Sequence, residues 1–142
     1  MAESIRLHYD VSGTDFTLAG AASSDVKRTL KQLGISPTAI RNVAIAMYEG
    51  EINMVIHAGG GVAEVGVYDE YIEIVLDDRG PGIADIDKAM QEGYSTATDT
   101  VRSLGFGAGM GLPNMKKNTD KLEIFSTLGV GTKIVMRVNY KI

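Results

Sequence analysis

The feature that most constrains this chain is where its glycines fall. Of the 17 glycines, Gly59-Gly60-Gly61, Gly80 with Gly82, Gly105 with Gly107, Gly109 and Gly111, and Gly129 with Gly131 stand in four groups. The segments between them are of strand or helix length, and their apolar spacing assigns each one. Residues 4–11 alternate, with Ile5, Leu7, Tyr9 and Val11 on one side, as a half-buried strand does; a turn at Gly13 and a short second strand at 16–18 follow. Ala22, Val26, Leu30 and Leu33 recur at helical spacing over 19–33, and Gly34 ends that helix. Ser36-Pro37 opens a second helix, with a capping side chain and a proline at the first helical position. It carries Ile40, Val43, Ala44, Met47, Met54 and Val55 to the glycine triplet. Residues 62–68 and 71–77 alternate about Asp69-Glu70, and 122–127 and 132–140 do so about Leu128–Gly131, giving two hairpins. Short helices are expected at 84–91 and over Asn114–Asn118. The order predicts one α+β domain over 1–142, a two-layer α/β sandwich with helices on one face of a mostly antiparallel mixed sheet.

Composition removes several functions. The chain has no cysteine, so disulfides, thiolate zinc sites and cysteine nucleophiles are excluded, and two histidines far apart in sequence do not make a metal cage. A net charge of −4 argues against nucleic-acid binding, which needs a basic footprint. No run reaches the roughly 18 apolar residues of a membrane span, and the N-terminus lacks an apolar signal core, so a cytoplasmic protein with no membrane partner is expected.

Three elements can carry chemistry. Glu49, Asn53 and His57 are spaced i, i+4, i+8 and form one polar stripe on an apolar helix. A solvated face gives the same spacing. Glu51 lies about half a turn away and reads as plain surface. Asp77-Asp78-Arg79-Gly80-Pro81-Gly82 follows the apolar strand YIEIVL, so a strand delivers Asp78 into a glycine turn where backbone can approach a flat ligand; an acid there is also an ordinary turn-former. Gly105-Phe106-Gly107-Ala108-Gly109-Met110-Gly111 alternates glycine and precedes a helix, the conditions for an anion-binding nest at a helix start, and equally for a plain flexible loop. It is neither a Walker A loop nor a dinucleotide fingerprint, because no G-K-[ST] follows and the G-x-G-x-x-G spacing is absent.

The order E-x-x-x-N, D-x-G-x-G, G-x-G-x-G and then Gly131-Thr132, from about Ile40 to Met136, resembles the Bergerat-fold (GHKL) ATP-binding domain of gyrase B, heat-shock chaperone ATPases, mismatch-repair ATPases and histidine kinases. Within that superfamily, DDRGPGIADIDKAMQEGYST followed by GFGAGMGLPNMKK is most similar to the anti-sigma-factor and stressosome switch serine/threonine kinases. The resemblance implies ATP and Mg²⁺ as ligands, with Asn53 on the Mg²⁺ that bridges the phosphates and Glu49 activating the attacking hydroxyl or water. Asp78 would accept the adenine amino hydrogen, with Gly80, Gly82 and Thr132 completing that end. Gly105, Gly107, Gly109, Met110, Gly111 and Leu112 would belong to a lid over the phosphates. His57, one turn beyond Asn53, either touches phosphate or caps the helix end. These roles suit the chemistry: Mg²⁺ takes few protein oxygens, and a carboxylate one turn away reaches a nucleophile beside the γ-phosphate.

The chain departs from the switch-kinase pattern between Ser95-Thr96 and Gly105, where residues 97–104, including Arg102, lengthen the lid. A lid over 93–111 that is mobile without nucleotide and ordered by a triphosphate is expected. The resemblance implies a protein serine/threonine kinase of bacterial signalling that phosphorylates a STAS-domain regulator. It also implies possible sequestration of a sigma factor or a downstream signalling enzyme, and possible homodimers. The alternative is a nucleotide-dependent partner-binding module of anti-sigma type without kinase activity, and a third reading is an ATPase with no protein substrate.

Overall fold

A computed structural model describes residues 5–13, 19–83, 90 and 111–140. Its elements are β1 (Ile5–Ser12), α1 (Ala21–Gln32), α2 (Pro37–His57), β2 (Gly60–Val67), β3 (Tyr71–Asp78), α3 (Gly111–Lys117), β4 (Lys121–Thr127) and β5 (Gly131–Asn139). The five strands form one sheet in the order β1-β2-β3-β5-β4, and every pairing among them is antiparallel. The expected second strand at 16–18 and helix at 84–91 lie outside the described residues, apart from Met90.

The core forms where the alternating strands meet the helices. Ala63 and Val65 of β2, Ile72, Ile74 and Leu76 of β3, and Ile134, Met136 and Val138 of β5 are buried together with Val26 and Leu30 of α1, Val43, Met47 and Met54 of α2, and Met115 of α3. Burying about a dozen side chains of this size at roughly 1.5–3 kcal/mol each supplies the main drive to fold. Two helix boundaries follow their expected chemistry. The Ser36 hydroxyl accepts from Ala39 N–H with Pro37 at the first position. Beyond α1, Gly34 takes a left-handed φ of 76°, and Gly34 and Ile35 donate to the carbonyls of Lys31 and Leu30, a Schellman closure. Leu33 therefore falls at the cap and stays 41% exposed, outside the apolar face expected for it.

This architecture positions the site through close backbone approach. A Cβ on Gly50 of α2 would sit 2.0 Å from Leu76 Cδ1 and 3.5 Å from Met115 Sδ, so α2 lies tight against both β3 and α3 at that residue. No helix among the described residues is long and apolar enough to cross a membrane.

Candidate active site

Asp78 ends β3 and its side chain ties the neighbouring loop together. Its Oδ1 accepts from Gly80 N–H at 2.9 Å and from Thr132 N–H at 3.1 Å. Thr132 is buried, and its hydroxyl lies 2.9 Å from Ser126 Oγ, which also accepts from Ile83 N–H at 2.7 Å. Gly82, at φ 81°, packs so closely on Thr127 that a Cβ would stand 2.6 Å from its carbonyl oxygen, and Gly129 donates to Pro81. Asp78, Gly80, Gly82 and Thr132 are thus brought together. Asp78 Oδ2 takes no hydrogen bond among the described residues, which leaves one fixed, half-buried acceptor oxygen.

The same turn abuts the helix that carries the polar stripe. A Cβ on Gly80 would be 2.6 Å from Ala58 Cα, at the cap that follows α2, and one on Gly61 would be 3.1 Å from Asp78 Cβ. The α2 segment with Asn53 and His57 therefore ends against the Asp78 turn. Glu49 and Asn53 are both half-buried. Burial pushes the Glu49 carboxyl above the usual glutamate range, and a hydrogen bond from the Asn114 side chain on α3 pulls the other way. The site thus joins an acceptor oxygen at one end to a carboxylate of raised basicity at the other.

Among the expected site residues, Gly105, Gly107, Gly109 and Met110 lie outside the described residues, as does nearly all of the lid over 93–111. Gly111 is the first residue of α3, and Leu112 is buried in the core cluster. His57 is the last residue of α2.

Glu51 requires a correction. It is not surface: only 2% of it is exposed, and its carboxylate accepts from the N–H groups of Gly20, Ala22 and Ser23 at the start of α1. Gly20, the N-cap of α1, has no side chain to satisfy those donors, so α2 supplies the cap. Asn114 and Ser126 were also missed. The second hairpin held a signal for Ser126, because its register sets Ser126 opposite Thr132. Asn114 had none, since nothing in sequence spacing sets α3 against α2.

The residues present fit a nucleotide with Mg²⁺. Asp78 Oδ2, unbonded among the described residues, suits an exocyclic amino group. Among the described residues no three His, Asp or Glu side chains gather into a metal cage. A cation held by Asn53 would therefore take its remaining ligands from phosphate and water, as Mg²⁺ commonly does.

The fold and this site define a class, and sequence comparison agrees with it. Residues 14–138 match the histidine kinase-like ATPase domain family, and the chain belongs to that family. More particularly, it is 32% identical over 114 residues to the serine/threonine-protein kinase RsbT of Bacillus subtilis, covering 76% of this chain and 78% of that one. It is 31% identical over 118 residues to an anti-sigma F factor of Clostridium novyi, covering 79% of each. Among solved structures, the RsbU and RsbW domains of Rv1364c from Mycobacterium tuberculosis align at a TM-score of 0.65 and 17% identity over 94% of this chain, which spans about a third (32%) of that one. The mycobacterial sensor histidine kinase MprB aligns at 0.54 and 15% identity, over 96% of this chain and 99% of its own. Both structural likenesses speak for the fold.

Proposed function

We propose that this protein is an ATP-dependent protein serine/threonine kinase whose substrate is a hydroxyl on a STAS-domain regulator, and that it holds a sigma factor or another signalling protein when that regulator is absent. The observation that carries the reading is Glu49: a half-buried carboxylate of raised basicity, one helical turn from Asn53, in a chain whose relatives include a serine/threonine kinase and anti-sigma factors. Asp78 Oδ2 would accept the adenine amino hydrogen, with Gly80, Gly82 and Thr132 shaping that end. Asn53 would hold Mg²⁺, which when bound neutralises charge on the transferring phosphoryl group.

The role of this chain's own residues is to orient and to take a proton. The substrate oxygen forms its bond to the γ-phosphorus while the bond from that phosphorus to the β–γ bridging oxygen breaks. The hydroxyl proton passes to Glu49, and ADP leaves with the electron pair. Transfer of labelled phosphate from [γ-³²P]ATP to STAS-domain proteins of the same genome tests the proposal. Transfer to one of them supports it. Tight nucleotide-dependent complexes without transfer would make the protein a binding module instead.

A further inference from the structure

We propose that Ser126 is a positioning residue for nucleotide selection: its hydroxyl donates to Thr132 Oγ1 and so turns the Thr132 hydroxyl hydrogen toward a ring nitrogen beside the adenine amino group. The inference rests on the reading of Asp78 as the adenine site and adds the other half of what such a site must recognise.

Adenine presents an amino donor flanked by ring nitrogens, N1 on one side and N7 on the other, that only accept. Asp78 Oδ2 meets the donor. Meeting an acceptor takes a hydrogen, which an ionised carboxylate lacks. Thr132 is the neighbouring hydroxyl, and its backbone N–H donates to Asp78 Oδ1 at 3.1 Å. A threonine hydroxyl both donates and accepts, so alone it would serve a ring N–H as readily as a ring nitrogen. Its surroundings have to break that tie.

Ser126 stands opposite Thr132 in the β4–β5 pair, so the two side chains share a face. Its Oγ accepts from Ile83 N–H at 2.7 Å and has a single hydrogen to give. Two oxygens compete for that hydrogen, Thr132 Oγ1 at 2.9 Å and the Gly131 carbonyl at 3.4 Å. The first lies inside the usual range for such a bond and the second beyond it. The serine hydrogen therefore goes to Thr132, and the threonine's own hydrogen is left over. Thr132 is only 7% exposed, and among the described residues its hydroxyl has no partner but Ser126. A buried donor without an acceptor is costly, and a ring nitrogen supplies the acceptor. A ring N–H in that place would force the pair to flip, leaving the serine hydrogen only the 3.4 Å contact.

Calorimetry with wild type, Ser126→Ala, Ser126→Thr and Thr132→Val tests this, using ATP, 1-deaza-ATP and 7-deaza-ATP. Each analogue keeps the amino group and replaces one ring nitrogen by C–H. Wild type should bind one of the two analogues about 3–10-fold more weakly than ATP, the scale of one hydrogen bond. Ser126→Ala should lose about 3–10-fold for ATP. It should bind that analogue within about twofold of wild type, because the analogue never used the bond. Ser126→Thr keeps the hydroxyl and should restore the discrimination. Thr132→Val should lose it, which keeps the inference testable where the alanine variant folds poorly. A Ser126 that only braces Ile83 would, when removed, weaken all three nucleotides alike. That result, or a wild type that binds both analogues as tightly as ATP, overturns this inference and leaves the kinase reading standing. No ATP binding by wild type overturns both.

Discussion

Glu51 Oε1 accepts from the backbone N–H of Ser23 at 3.0 Å, so a side chain from the middle of α2 caps the start of α1 across 28 residues of sequence. Its other oxygen takes the N–H groups of Gly20 at 2.9 Å and Ala22 at 3.2 Å. A negative charge here also meets the positive end of the helix dipole. With 2% exposure the carboxylate would be costly without these donors, and α1 would be left with orphan N–H groups without the carboxylate.

Removing it should therefore be among the more damaging single changes in the chain. Glu51→Ala is expected to lower stability by about 2–5 kcal/mol, since three charge-assisted bonds vanish and the donors stay buried. Glu51→Gln keeps one acceptor oxygen and should recover part of the loss. Urea melts of the three proteins measure this, and an alanine variant as stable as wild type would remove the cap from the account.

The case shows what sequence reading reaches in this fold. Alternation in Ile72, Ile74 and Leu76, and again in Ile134, Met136 and Val138, reports burial directly, because a strand's two faces see different media. The strands, α1 and α2 were legible within a residue or two, and so was the gathering of Asp78, Gly80, Gly82 and Thr132. A helical-wheel argument cannot see Glu51 or Asn114. Each meets a different helix, and a polar residue facing a helix terminus or another polar side chain looks the same in sequence as one facing water. The one clue to Glu51 was indirect: Gly20 opens a helix without a capping side chain.

Asp78→Asn should separate the fold from nucleotide recognition. An asparagine keeps Oδ1 for the N–H groups of Gly80 and Thr132, which fixes its NH₂ in the place of the free oxygen. Stability should stay within about 1 kcal/mol, while ATP affinity falls roughly 10–100-fold because donor then faces donor. GTP, which offers a carbonyl oxygen at that ring position, should lose less. Calorimetry with both nucleotides checks this, and an unchanged ratio of the two affinities would take Asp78 out of the adenine site.

Glu49→Gln should trade function for stability. Its amide keeps the shape but cannot take a proton, so transfer should drop by about 10²–10⁴ while nucleotide still binds. Burial raises the folded-state pKa of Glu49, so the folded protein holds this proton more tightly than the unfolded chain does. That contribution is fully present below the ordinary glutamate range and is lost as pH rises through the folded value. At neutral pH the ionised side chain is thus a net liability, and Glu49→Gln should melt higher than wild type, with the gap closing as the solution is acidified. By the same shift, wild-type transfer should fall on acidification at a higher pH than an exposed glutamate would give. Melting curves and transfer rates across pH 4–8 read both limbs; a gap in melting temperature that does not change with pH would mean Glu49 titrates as an exposed carboxyl.

Gly50 offers the sharpest test of how the site is held. In an isolated helix alanine is better than glycine by about 1 kcal/mol, so propensity alone predicts that Gly50→Ala stabilises. Here a Cβ would lie 2.0 Å from Leu76 Cδ1, and Leu76 is fully buried on β3, where it pairs with Ala63 and Ile134. Overpacking of this kind costs about 1–3 kcal/mol. The leucine must shift rotamer or α2 must move off the sheet, so Gly50→Ala should be less stable than wild type. Leu76→Ala alone should cost about 2–5 kcal/mol through the cavity it leaves. The two together should cost less than their sum by at least about 1 kcal/mol, because the new methyl group occupies part of the space vacated. Additive losses in that double variant, or a Gly50→Ala protein more stable than wild type, would mean that Gly50 does not set the spacing between α2 and β3, and that Glu49 owes its place to some other contact.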